Sequence, residues 1–194
     1  MPPRGPDILR GITMPGVPKR IVGGEKVRDL RNRLVRRVRR THVVVALLGK
    51  GGSGLSARRE LAKTLRRLRI IALVPEDDFP PDIGASLAEE AVLSDVDTHL
   101  VFVHVESWGS ALEFGQLRAL PRVAPKLRVL VSPAYHPLYG ARTSYLTDAY
   151  MTHLALHGHV YAVGEPGRLR IPKAEELVVL LSERFRQAKA LGIK

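Results

Sequence analysis

Five short runs of the chain have an apolar middle that does not alternate with polar residues at a strict period of two: THVVVALLG (41–49), IIALVP (70–75), THLVFVHV (98–105), KLRVLVSP (126–133) and HVYAVG (159–164). A strand with one wet face alternates apolar and polar residues, whereas a run that is apolar throughout needs cover on both faces. Each run is separated from the next by a stretch of helical length. SARRELAKTLRRL (56–68) places Leu61, Leu65 and Leu68 on one face, with Ser56 as its expected N-cap. A helix over 82–94 is expected to turn Ile83, Leu87 and Ala91 inward, and a third helix to begin near Ser110. A Tyr-rich, partly helical stretch covers 134–157, and AEELVVLLSERFRQAKAL (174–191) closes the chain. Strand, helix, strand in this rhythm predicts an α/β fold: a doubly wound, five-stranded parallel sheet in the flavodoxin-like order 2-1-3-4-5.

That sheet accounts for residues 41–194, and 194 residues suit one domain with a preceding segment. Residues 1–40 hold 12 Lys or Arg against Asp7, Glu25 and Asp29, which is +9 of the net +12. The first 24 residues, rich in Pro and Gly, read as an extended arm. From Glu25, EKVRDLRNRLVRRVRR places Val27, Leu30, Leu34 and Val38 on one stripe among arginines, an amphipathic basic helix. Such a helix packs on a domain or meets a polyanion, so nucleic acid is a possible partner. No aromatic residues interleave with its arginines as a single-strand platform would require.

No apolar run approaches the roughly 18 residues of a membrane span, and the start MPPRGPDILRGITMPG lacks the apolar core of a signal peptide. The chain has no cysteine, so thiolate sites and disulfides are excluded, and a cytoplasmic protein without a membrane partner is expected. One Asn (Asn32) and two Gln (Gln116, Gln187) beside abundant Arg fit a source living at high temperature.

Ligands of open parallel sheets bind beyond the carboxyl ends of the strands, where strand order reverses. In the order above, this crevice lies between strands 1 and 3. The loop after strand 1 is GKGGSGLS (49–56) and the loop after strand 3 is ESWGSALE (106–113). Gly49, Gly51 and Gly52, with Ser53, let backbone N–H groups approach a phosphate or a ribose. Lys50 is not placed as in a Walker loop, and no dinucleotide fingerprint is met, so no cofactor is expected. Arg58, a turn later, is a candidate for a ligand phosphate. In the second loop, Ser110 and Glu113 fit a capping box, S-x-x-E. The same position directs a carboxylate into the crevice, and a helix N-terminus would keep it ionised. An ionised glutamate beside a sugar suits glycosyl transfer, as nucleophile or as stabiliser of an oxocarbenium-like transition state. Trp108 is placed to stack on a base or to cap the core.

The succession of Gly/Ser loop, SARREL, VPEDDF, an acidic helix ending LSDVD, and THLVFVHVESWGSALEFG resembles the nucleoside 2-deoxyribosyltransferase-like family. It is more distantly similar to Toll/interleukin-receptor-like NAD hydrolases and to cytokinin-activating phosphoribohydrolases. The resemblance covers roughly residues 42–120. It implies a nucleophilic Glu113 in a GSxxExG-type motif with Gly109, Ser110 and Gly115. It also implies an aspartate before strand 3, Asp97 or else Asp95, that holds sugar or base. A small-molecule nucleoside or nucleotide substrate and a homo-oligomer are further implications. Cleavage or exchange of an N-glycosidic bond is therefore expected, with a non-catalytic nucleotide sensor and a basic nucleic-acid-binding or scaffold protein as the alternatives.

Three further groups stand near these loops or beyond them. Glu76, with Asp77 and Asp78, follows strand 2, where it could orient a ribose hydroxyl or form a solvated turn. His153, His157 and His159 have metal-like spacing but no nearby carboxylate or thiol, so no metal is expected. Tyr135, Tyr139, Tyr145 and Tyr150 are expected to pack beneath a loop.

Overall fold

A computed structural model describes residues 24–164 and 171–193. The Pro-rich basic segment expected as an arm lies outside them. The chain divides into two compact units, with the boundary between Arg36 and Arg37. The first contributes most of helix α1, Gly24–Arg40, in which Val27, Leu30 and Leu34 recur at helical spacing among Lys and Arg.

The second unit is a five-stranded sheet in the order β2-β1-β3-β4-β5, and every pairing is parallel. The strands are β1 Val44–Gly49, β2 Ile71–Leu73, β3 Thr98–Val105, β4 Leu127–Val131 and β5 Val160–Ala162. Because side chains alternate along a strand, the continuous apolar runs divide between two cores. Val45, Leu47, Leu100, Phe102 and Leu130 face one side with Leu61, Leu65 and Val178, from helices α2 (Ser53–Arg67) and α7 (Ala174–Leu191). Ala46, Leu48, Val101, Val103, Val129 and Val131 face the other. That side is covered by α4 (Ala85–Ser94), α5 (Trp108–Leu117) and α6 (Tyr145–His157), through Leu93, Phe114, Leu117 and Tyr150. Among the described residues, no helix is long and apolar enough to cross a membrane.

Local differences from expectation have physical causes. Helix α2 starts at Ser53, earlier than residue 56, because Gly52, at φ 59° and ψ −118°, turns the chain sharply enough to begin it; Ser56 lies inside the first turn. VPEDDF is more than an acidic turn: Pro75–Asp78 form a helical turn, α3, with Pro at its N-terminus. Asp77 and Asp78 fasten that turn to α2 through Arg59 and Arg66. Helix α4 buries Ala88 and Leu93, while Ile83 and Leu87 are exposed and so is Ala91. The stripe expected inside thus faces solvent, and the face carrying Ala88 and Leu93 is buried instead. Of the four tyrosines only Tyr150 is core; Tyr135, Tyr139 and Tyr145 are exposed.

Candidate functional site

The loops after β1 and β3 meet at the reversal of strand order, since β2 and β3 flank β1 on opposite sides. A cavity of about 230 Å³ opens there on the α2/α7 side. Gly49, Lys50, Ser53 and Arg58 line it from the first loop and helix, His104 and Glu106 from the end of β3, and Glu175 from the start of α7. Gly49 adopts φ 147°, and a Cβ there would come within 3.1 Å of the His104 carbonyl oxygen. Glycine is therefore what lets β1 end against β3. Gly51 and Gly52 form the exposed tip of the loop, ahead of the first N–H groups of α2, which have no partner within the helix.

Arg58 is the centre of this end of the sheet and is only 9% exposed. Its Nη1 donates to the Leu47 carbonyl at 3.2 Å and to Glu76 Oε2 at 3.3 Å. Its Nη2 donates to the Lys50 carbonyl at 3.2 Å and to Glu76 Oε1 at 2.7 Å. The guanidinium thus ties the end of β1, the Gly/Ser loop and α3 together, as a planar fork can and an ammonium cannot. Glu76 is accordingly half of an ion pair.

Glu113 is not a capping residue. Helix α5 begins at Trp108 and its cap is Ser107: Ser107 Oγ accepts from the Ser110 N–H at 3.2 Å, and Ser110 Oγ accepts from the Ser107 N–H at 3.0 Å. The earlier start removes Glu113 from the first turn and from the strongest field of the helix N-terminus. Burial then governs it. Desolvation, helped by the neighbouring carboxylate of Glu89 and more weakly by Glu76, lifts the Glu113 carboxyl to about 8, with Arg58 opposing. The expected ionised side chain is consequently a protonated one at neutral pH. Glu89, from α4, is also raised, first by burial and then by Glu76. Three carboxyl groups and one guanidinium therefore form one electrostatic cluster at the carboxyl end of the sheet, but of these four only Arg58 lines the cavity; Glu113, with α5, belongs to the opposite face of the sheet.

Other expected residues are dispersed. Asp97 precedes β3 and is exposed. It lies at the amino end of an eight-residue strand, a length of roughly 25 Å at the usual rise per residue, so the structure does not bring it to Glu113; Asp95 shares that end. Ser110 is buried and its hydroxyl is committed to the cap. Gly109 lies in the first turn of α5, where a Cβ would meet only Ser107 Oγ, at 3.8 Å. Trp108 is 92% exposed, which removes the core-capping reading and leaves a bare indole at the rim. His153 is buried and donates from Nε2 to the Leu127 carbonyl at 3.2 Å.

Sequence reasoning missed Glu89, His104, Glu106 and Glu175. His104 and Glu106 were detectable as alternate residues at the carboxyl end of β3. Their side chains approach to 3.5 Å, and burial lowers the imidazole while Glu106 and then Glu175 oppose that. Glu89 and Glu175 carry no local signal, because only the packing of α4 and α7 delivers them. No protein-family model matches the chain, and no curated protein matches its sequence.

Proposed function

We propose that this protein cleaves or exchanges the N-glycosidic bond of a nucleoside, a nucleotide or NAD, with Glu113 as the reacting carboxyl. The observation that carries the proposal is the Glu113 cluster: a half-buried carboxyl on the helix that follows β3, held in the field of Glu89, Arg58 and Glu76, with Arg58 hydrogen-bonded to the Lys50 carbonyl of the glycine-rich loop. Groups with strongly perturbed proton affinity are candidates for reactive sites, and Arg58 links this cluster to the cavity it lines. In its ionised form the Glu113 carboxylate attacks the anomeric carbon and the bond to the base breaks, the departing base taking its proton from water. Water or a second base then releases the sugar. The loop around Gly51, Gly52 and Ser53 supplies N–H donors to sugar or phosphate oxygens. Trp108, at the rim, offers a face to the base.

The test is a comparison of wild type and Glu113→Gln, which keeps shape and removes the nucleophile. Equilibrium dialysis against nucleosides, deoxynucleosides, their monophosphates and NAD measures binding, and free base measures turnover. The expected result is undiminished binding with turnover reduced by at least about a thousandfold, the scale of losing a covalent catalyst. Equal turnover by the two proteins would remove Glu113 from the chemistry. Saturable binding without product from wild type would make the domain a sensor.

A further inference from the structure

The charge of this chain is distributed in blocks. Residues 70–117 contain ten of its 19 acidic residues and no Lys or Arg. Helices α4 and α5 both lie within this block and cover the same face of the sheet. Glu76, Asp77 and Asp78 are occupied by Arg58, Arg59 and Arg66 of α2. Asp82 and Glu90, exposed beside α4 and on it, form no ion pair among the described residues.

The same two helices show apolar residues to solvent. Leu87 on α4 is 66% exposed, with Ile83 just before it; on α5 Leu112 is 65% exposed, one turn from the bare Trp108. Residues four apart share a helix face, so Leu87 with Ala91, and Trp108 with Leu112, form two outward ridges. Each points away from the sheet, opposite the buried Ala88 and Leu93 in one helix and Phe114 and Leu117 in the other. Outward apolar ridges on neighbouring helices, amid unpaired acids, suit an interaction surface rather than a solvated one.

Helix α1 has the opposite character. Its 17 residues include eight Lys or Arg against Glu25 and Asp29, and Val27, Leu30 and Leu34 are exposed on one stripe. We propose that the α4/α5 face is the seat for helix α1 of a second copy of this chain. The apolar stripe of α1 would cover Leu87 and Leu112, and its flanking arginines would meet Asp82 and Glu90. Charge selects this occupant: pairing the α4/α5 face with its own copy would set acid against acid, whereas α1 brings arginines. The exchange can be reciprocal, which closes a two-fold dimer.

The absence of native cysteine makes the test direct. Leu34→Cys and Leu87→Cys proteins, one carrying a mass tag, are mixed at micromolar concentration and treated with a short bis-maleimide. Wild type is sized in parallel by sedimentation equilibrium, alone and with Leu34→Glu or the pair Leu87→Lys and Leu112→Lys. The proposal expects wild type at twice the 21.4 kDa chain mass and a cross-link joining tagged to untagged chains. It also expects dimerisation weakened at least about tenfold by either set of substitutions, the scale of losing one buried leucine. Monomeric wild type overturns it, as does a dimer indifferent to both sets or one giving no mixed cross-link. Binding of RNA by wild-type α1 with the chain still monomeric would assign the helix to nucleic acid instead.

Discussion

At the scale of single residues, two side chains carry the account, Glu113 and Arg58. Glu113 holds its proton to about pH 8 because burial and Glu89 disfavour the anion. A nucleophile must be ionised, so kcat/KM is expected to rise tenfold per pH unit and to level off above about pH 8. A pH–rate profile that falls above that value would make Glu113 a proton donor instead. The same shift bears on stability. The folded-state carboxyl is raised above its unfolded value, so its contribution is complete below about pH 4.5 and is lost as pH rises to about 8. Between those limits wild type is expected to lose on the order of 2 kcal/mol after allowance for solvent screening. Melting curves of Glu113→Gln should lack that slope. Arg58→Met leaves the Leu47 and Lys50 carbonyls and Glu76 without their donor, and chemical denaturation should show a cost of about 3 kcal/mol. Glu113 was legible in the sequence from its loop and its neighbours Ser110 and Gly115. Its protonation was not, because Glu89 reaches it only through the packing of α4.

At the scale of elements, the start of each site helix depends on one or two residues. Helix α5 is started by the Ser107 hydroxyl, and Ser107→Ala is expected to destabilise the protein by about 1 kcal/mol. Urea unfolding would show it, and Ser110→Ala should cost a similar amount, since the two hydroxyls serve one cap. For α2 the determinant is the backbone of Gly52, where φ 59° with ψ −118° has open space around a hypothetical Cβ. Any penalty of Gly52→Ala is therefore conformational, about 1 to 3 kcal/mol. The capping box read in ESWGSALE was Ser110 with Glu113, whereas the structure forms it from Ser107 with Ser110. The S-x-x-E pattern alone misplaces the start by three residues, whereas packing of Phe114 and Leu117 into the core accompanies the earlier one. The outward stripe of α4 has a similar explanation. Leu87 and Ala91, four apart, satisfy helical periodicity better than the buried Ala88 and Leu93, five apart, and periodicity alone does not say which face meets the sheet.

At the scale of the whole molecule, the order β2-β1-β3-β4-β5 followed from strands apolar on both faces and helices between them, a pattern that few topologies can bury. It also placed the crevice, because strand order and chain direction together determine which loops meet. Asp97 shows the reach of that argument: a residue before β3 and one after it lie at opposite ends of a parallel sheet, and sequence proximity to a motif does not alter this. The central claim is that the carboxyl end of this sheet breaks an N-glycosidic bond through Glu113. Mass-spectrometric product analysis tests it most directly, with wild type and Glu113→Gln each incubated at elevated temperature with a mixture of nucleosides, deoxynucleosides, monophosphates and NAD. The account predicts free base or nicotinamide, or an exchanged nucleoside, from wild type alone. A mixture left intact by both proteins, or consumed equally by both, would contradict it.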